Sequence, residues 1–167
     1  RVGHEVLFRK NMFLFTDGQP TSGYYNNVFL DSTSTHDSVG VKNLENTLSL
    51  NFFTNKVYVS FSARHQWTQL TYGANQPDSL SAAKFSNTYT YKNNNVFVQA
   101  NAGIGKWQAE AAYCVTGYNS GDFEISSNFQ FLKVIEARLS AADKMPDYIF
   151  TKYISNHFVW NKDRKST

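Results

Sequence analysis

The segment NTLSLNFFTNKVYVSFSARHQW, residues 46–67, alternates apolar and polar side chains with a period of two. Alternation of this kind is typical of a β-strand that has one apolar and one polar face. The sequence TNK at 54–56 separates two such runs, so the segment predicts two antiparallel strands joined by a tight turn. The apolar parity holds Leu48, Leu50 and Phe52 in the first run and Val57, Val59, Phe61 and Ala63 in the second.

The same alternation recurs along the rest of the chain, and no segment has a convincing helical period. Turns are predicted at NNN, 93–95, and at GYNSGD, 117–122, because Asn and Gly tolerate the left-handed backbone of turns. A polar connection is predicted over 68–83. The predicted strands are 6–15, 24–30, 42–52, 57–66, 84–92, 96–103, 107–116, 123–131, 134–141 and 148–160.

About ten strands in succession predict an all-β fold built as an antiparallel up-and-down meander. A sheet of that length usually curls, splits or closes, and closure removes exposed strand edges. We therefore predict a β-barrel or part of one. Residues 1–167 are expected to form a single domain, with no linker and no second domain.

Charged strand residues fall on the polar parity of the predicted strands. A charge on a lipid-facing position costs about 2–4 kcal/mol at the bilayer midplane, and a dry protein core excludes charge as firmly. The segregation therefore predicts one charge-free face without deciding whether lipid or a protein core covers it. The residues concerned are Glu45, Arg64, Lys84, Lys92, Glu110, Glu124, Glu136 and Arg138.

Three further features favour lipid on the apolar face. Seven alanines lie on it, too small to fill the inside of a soluble barrel, and the opposite face mixes polar side chains with charges of both signs, as a wet lumen does. Aromatic residues also gather near strand ends, as in interface girdles, although aromatics are good strand formers anywhere. The loops argue against lipid, because short and long connections are not sorted to opposite ends. The candidate interface aromatics are Trp67, Tyr91, Trp107, Tyr113, Phe123 and Trp160.

Other classes of function find little support in the residues. The net charge is +3 and no stripe of Lys and Arg forms, so nucleic acid is not expected as a partner. Glu110, Glu124 and Glu136 share a predicted face and are better explained as charges on a wet wall than as catalytic acids. The four histidines lack metal-ligand spacing. We expect no enzyme activity, no metal and no cofactor.

The segments DSVGVKNLENTLSL, 37–50, and YISNHFVWNKD, 153–163, resemble the putative porins of Bacteroidetes outer membranes. In that family an SNHF-x-W strand, matched here by 155–160, lies in the later part of the barrel. The resemblance covers most of the chain and implies a Gram-negative outer-membrane barrel with passive transport and no catalytic residues. The chain is short for that family, and Trp160 is followed by NKDRKST rather than by a terminal aromatic. We therefore expect an interior piece or a truncated copy of a larger barrel.

These observations predict a transmembrane β-barrel that passes small solutes by porin-like diffusion, with the lipid bilayer, small solutes and other outer-membrane proteins as its partners. Two alternatives stay open. One is a soluble β-sandwich or lipocalin-like binding module with the apolar face turned inward, and the other is a non-conducting barrel subunit of a larger outer-membrane assembly. In a pore, lumen-facing charges would set solute selectivity. The candidates are Glu45, Arg64, Glu110, Glu124, Glu136 and Arg138.

Overall fold

The computed structural model describes residues 1–18, 35–74, 88–131, 135–146, 151–155 and 159–161. These ranges contain nine β-strands, close to the ten or so predicted. They are β1 (Val2–Asp17), β2 (Thr35–Phe53), β3 (Val57–Ala74), β4 (Thr88–Ile104), β5 (Trp107–Gly117), β6 (Phe123–Phe131), β7 (Ile135–Asp143), β8 (Lys152–Ile154) and β9 (Val159–Asn161).

The first seven strands form one sheet in chain order, β1-β2-β3-β4-β5-β6-β7, and β8 pairs with β9 in a separate two-stranded sheet. The pairings of β4 with β5, β5 with β6, β6 with β7 and β8 with β9 are antiparallel. The prediction of an all-β antiparallel meander is confirmed, and this topology is the one that part of an up-and-down barrel requires. No helix among the described residues is long and apolar enough to cross a membrane.

Tight turns connect the strands where the sequence predicts them. Between β2 and β3, the amide of Val57 donates to Thr54 Oγ1 over 3.0 Å, and the amide of Thr54 donates to the carbonyl of Val57 over 2.8 Å. Between β4 and β5, Gly105 adopts a φ of 59°, a left-handed conformation that a β-branched residue resists. The short hairpins thus place consecutive strands side by side.

Three details of the predicted pattern are wrong. The Asn triplet 93–95 is not a turn but lies inside β4, because the side chain of Asn95 bonds to neighbouring strands and offsets the turn preference of Asn. Residues 68–74, predicted as connection, extend β3. The predicted last strand, 148–160, is replaced by the three-residue strands β8 and β9. The predicted strand 24–30 lies outside the described residues.

The chain divides into two compact units. The first, which we call the sheet unit, comprises Arg1–Phe8, Asn43–Trp67 and Asn93–Met145. The second, which we call the tyrosine unit, comprises Arg9–Lys42, Thr68–Lys92 and Pro146–Thr167. The single-domain prediction of the sequence stays a prediction.

The tyrosine unit has a small apolar core. Val39, Leu70 and Tyr72 are buried, and Tyr91 and Tyr153 pack against them. The ring centroid of Tyr72 lies 6.0 Å from that of Tyr91 and 5.6 Å from that of Tyr153, both in edge-to-face geometry, the arrangement aromatic pairs prefer. Burial, followed by the nearby Asp37 carboxylate, raises the pKa of Tyr153, whereas a hydrogen bond with Ser155 opposes that shift.

Candidate functional site

The register of β4 to β7 sorts the sheet unit into apolar and polar rows of residues that face one another across strands. In the apolar rows, Ala100 pairs with Ala111, Ala111 with Ile125, and Ile125 with Ala141. Because strand side chains alternate between faces, all apolar rows lie on one side of the sheet. The other apolar rows are Ile104–Trp107–Phe129–Ala137, Ala102–Ala109–Ser127–Leu139 and Val98–Tyr113–Phe123–Asp143, and the pair Phe131–Ile135 continues them on β6 and β7.

The apolar rows are exposed, not buried. Their large side chains range from 37% exposed at Phe123 to 77% at Leu139. On the neighbouring strands Leu48, Leu50 and Phe61 are exposed as well. A water-soluble protein rarely exposes so extended an apolar surface. A soluble module with its apolar face turned inward would bury these groups, so the described residues argue against that alternative.

Aromatic residues lie at both ends of the pairing between β5 and β6. Trp107 pairs with Phe129 at one end, and Tyr113 pairs with Phe123 at the other. Six residues of an extended strand separate Trp107 from Tyr113, which corresponds to about 20 Å. Strands β5 to β7 contain 11, 9 and 9 residues, close to the roughly 9–11 that a tilted strand needs to cross a bilayer. Three of the six predicted interface aromatics thus flank one apolar band.

Two polar side chains lie in the apolar rows. Asp143 is at the very end of β7, beyond the predicted strand 134–141, whereas Ser127 lies inside its row and has a hydrogen-bond partner. Ser127 lies between Ala109 and Leu139 in its row. Trp107 Nε1 donates a hydrogen bond to Ser127 Oγ over 2.8 Å. A hydroxyl facing hydrocarbon is costly without a partner, so this bond satisfies the polar groups of both side chains on the apolar face.

The polar rows carry the predicted charges of β5 to β7. Glu110 pairs with Ser126, Glu124 lies between Ala112 and Ala142, and Arg138 pairs with Asn128. Glu136 pairs with Gln130, and its carboxylate accepts a hydrogen bond from Asn128 Nδ2 over 2.6 Å. The register therefore places all four charges on the face opposite the apolar rows, whereas no observation tests their part in selectivity.

Two ion pairs compensate three of the predicted charges, Glu45, Arg64 and Glu124. Arg64 Nη1 lies 3.8 Å from Glu45 Oε2, and the guanidinium carbon of Arg64 lies 4.5 Å from the centroid of the Phe97 ring, a cation–π arrangement. Glu124 pairs with Lys144 just beyond the end of β7. These ion pairs hold the long side chains in place and lower the electrostatic field of the two carboxylates.

A hydrogen-bonded amide network extends from the Glu45–Arg64 ion pair across the polar face. Gln66 Nε2 donates to Glu45 Oε1 over 3.4 Å, and Gln66 Oε1 accepts from Asn95 Nδ2 over 3.2 Å. Asn95 Nδ2 also donates to Asn119 Oδ1 over 2.8 Å, while Asn95 Oδ1 accepts the Asn119 amide over 3.0 Å. Asn119 Nδ2 then donates to an oxygen of Asp122 over 2.8 Å. Asn95 is only 2% exposed, so its bonds are shielded from water.

Asp122 connects this network to the chain beyond β7. The oxygen that accepts from Asn119 also accepts the backbone amide of Met145 over 3.0 Å. The backbone carbonyl of Asp122 accepts from the amide of Cys114 over 2.8 Å. The turn 118–121 is thus fixed on both sides, and Cys114 is a buried, packed residue of β5.

A polar depression of about 400 Å³ lies on the polar face between β3 and β7. Tyr58 lies near Gly103, where its Cδ1 would be 4.0 Å from an added Cβ. Within the described residues, Glu110 and Arg138 form neither a hydrogen bond nor an ion pair. The polar lining includes Tyr58, Asn101, Gln108, Glu110, Asn128 and Arg138.

The other predicted aromatics have different surroundings. Trp67 is half-buried. Tyr91 packs in the core of the tyrosine unit, so it contacts protein side chains and not only the medium at a strand end. The side chain of Trp160 lies outside the described residues. Among the described residues, no group of His, Cys, Asp and Glu is arranged to hold a metal ion.

Sequence reasoning missed the amide network and the depression. Asn95 is predicted as a turn residue but lies in β4, and Asn119 is correctly predicted in a turn; their bond to each other leaves no periodic signal in the sequence. Tyr58 follows directly on the apolar-parity Val57, and its polar-face position was visible from parity alone. Its neighbour across the sheet, Gly103, becomes apparent only from the strand register.

A comparison with protein families finds one match over the whole chain. The family model described as "putative porin" matches residues 1–167. No curated protein and no solved structure matches the chain.

Proposed function

Because the chain belongs to the putative porin family, we propose that it forms an outer-membrane β-barrel, or part of one, through which small solutes diffuse passively. In this proposal the apolar rows face lipid and the polar rows face a water-filled lumen. The partners are then the lipid bilayer, the permeating solutes and other outer-membrane proteins, and the chain catalyses no reaction.

The exposed apolar face is the observation that carries the proposal. Ile125, Leu139 and Phe131 project from strands of the length needed to cross a bilayer, and each is more than half exposed. Burying such side chains in hydrocarbon stabilises a protein by about 25 cal/mol per Å². An outward apolar face with a polar face opposite is the arrangement of porin-type barrels.

The polar rows would control which solutes pass. Charged rings and polar walls select solutes by sign and size. Glu45 and Glu124 are paired with Arg64 and Lys144, so their fields are partly cancelled. Glu110, Glu136 and Arg138 lack an ion-pair partner within the described residues and are the charges expected to act most strongly on ions in transit.

The test is single-channel recording on the protein reconstituted into planar bilayers. We expect discrete, ohmic current steps in KCl. Ser140→Trp, which adds bulk to the polar row of Glu110, should lower the step size, because the pore narrows. Leu139→Trp adds the same ring one residue earlier, on the apolar face, and should leave the step unchanged.

Each other outcome supports a different function. Folded, inserted protein without current steps would support a non-conducting subunit of an outer-membrane assembly. Protein that stays monodisperse without detergent would support a soluble binding module. An equal loss of step size for Ser140→Trp and Leu139→Trp would contradict the assignment of the faces.

A further inference from the structure

We propose that the polar depression bounded by Tyr58, Glu110 and Arg138 is a binding subsite for small zwitterions, of which a short peptide fits best. The inference rests on the proposed function, since it places the subsite on the pore wall. It goes beyond diffusion, because it names the chemical class of solute that the wall would hold.

Two charges of opposite sign line the same depression without an ion-pair partner among the described residues. Glu110 lies on β5 opposite Ser126, and Arg138 lies on β7 opposite Asn128. Two strand spacings therefore separate them, about 10 Å, with an offset of two residues along the strands, about 7 Å. Both side chains lie on the same face, and neither has a hydrogen bond or an ion pair to another described residue. A solute with an amine at one end and a carboxylate at the other complements both.

Neutral polar groups flank the two charges in the depression. Asn128 donates through Nδ2 to Glu136, but its Oδ1 is buried without a hydrogen-bond partner among the described residues. Such an atom is costly unless a ligand or water fills its place. Asn101 and Gln108 also line the depression, and the three side-chain amides match the donor and acceptor pattern of a peptide group.

Tyr58 forms an aromatic wall of the depression. Tyr58 lines the depression beside Asn101 and Gln108. The depression holds about 400 Å³, within the usual range for small-molecule sites. A flat apolar wall beside charged and amide groups suits the short side chains of a dipeptide.

Equilibrium binding of alanylalanine to the detergent-folded protein tests the proposal, with ligand-observed NMR as the measurement. Exposed ion pairs contribute at most about 1 kcal/mol. We therefore expect Glu110→Gln and Arg138→Gln each to raise the Kd about three- to fivefold. Glu5→Gln and Lys56→Gln remove an exposed charge of each sign elsewhere in the sheet unit and should leave the Kd unchanged.

Blocked ligands show which end of the dipeptide each charge binds. N-acetyl-alanylalanine lacks the amine, so it should bind wild-type protein several-fold more weakly and be insensitive to Glu110→Gln. Alanylalanine amide lacks the carboxylate and should be insensitive to Arg138→Gln. The proposal is overturned if the blocked and free dipeptides bind equally, or if neutral maltose competes as well as alanylalanine.

Binding in detergent does not depend on conduction, so the two proposals fail separately. Current steps in KCl without charge-dependent dipeptide binding would support the pore and contradict the subsite. Charge-dependent binding without current steps would support the subsite and contradict the pore.

Discussion

Trp107 Nε1 donates a hydrogen bond to Ser127 Oγ over 2.8 Å, on the face of the sheet that is otherwise apolar. Trp107→Phe keeps an aromatic ring at this position but removes the indole N–H that donates to the Ser127 hydroxyl. Hydrogen bonds between membrane-embedded side chains contribute about 0.6 kcal/mol on average, so we expect a loss of about 0.5–1 kcal/mol. Urea unfolding in lipid vesicles measures this loss in the free energy of unfolding. Ser127→Ala in the Trp107→Phe background should cost nothing further, whereas independent losses would contradict the coupling.

Arg substitutions at adjacent positions test the two faces. Ile125 lies on the apolar face, and Ser126 lies on the polar face. Ile125→Arg should lower the free energy of unfolding in vesicles by about 2–4 kcal/mol, because a guanidinium would enter hydrocarbon. Ser126→Arg should change it by less than about 0.5 kcal/mol. Ser60 is a poorer control, being only 4% exposed. A reversed order would place lipid on the polar face.

The buried Asn95 should contribute more to stability than its exposed neighbour. Asn95→Ala removes bonds to Gln66 and Asn119 and leaves their groups unpaired. Leaving buried polar groups without partners costs about 1–3 kcal/mol. Asn94→Ala removes one exposed contact, to His65, and should cost about 0.5 kcal/mol or less. Urea unfolding distinguishes the two, and equal losses would show that the network is not stabilising.

Gly117 should be hard to replace. Its φ is 113°, and an added Cβ would collide with the carbonyl oxygen of Asn94 and the Cα of Asn95. Gly117→Ala should therefore cost at least about 2 kcal/mol. Gly105 also has a positive φ, but no described atom lies within 4 Å of an added Cβ, so Gly105→Ala should cost only about 1–2 kcal/mol. Thermal unfolding of both variants makes the comparison, and a cost at Gly105 as large as that at Gly117 would contradict it.

Lys144 should influence ion selectivity by neutralising Glu124. Lys144→Gln removes the ion-pair partner of Glu124 on the polar face and leaves only the smaller electrostatic effect of Arg138. In the proposed pore, the reversal potential in a KCl gradient should then shift toward that of K⁺. Lys106→Gln removes an exposed charge from the β4–β5 turn and should cause a smaller shift. A shift of Lys144→Gln toward Cl⁻ would mean that Glu124 does not face the permeating ions.

The strands could be predicted from the sequence because alternation is a local repeat of apolar and polar residues. Period-two alternation identified β5 and β6 almost to the residue, and the parity of Glu110, Glu124 and Arg138 predicted their shared face. The pattern failed at 93–95, where three consecutive Asn residues favour a turn in isolation. There the buried bonds of Asn95 to Gln66 and Asn119 outweigh the local preference.

Alternation in the sequence determined that the chain forms strands with one charge-free face, because the direction of a side chain along a strand depends only on its position in the chain. Only the tertiary structure decided that the charge-free face is exposed, because a protein core and lipid exclude charge equally. It also decided that Glu110, Arg138 and Tyr58 meet around one depression. Such contacts depend on the register between strands, which turn geometry and cross-strand bonds fix and which alternation leaves open.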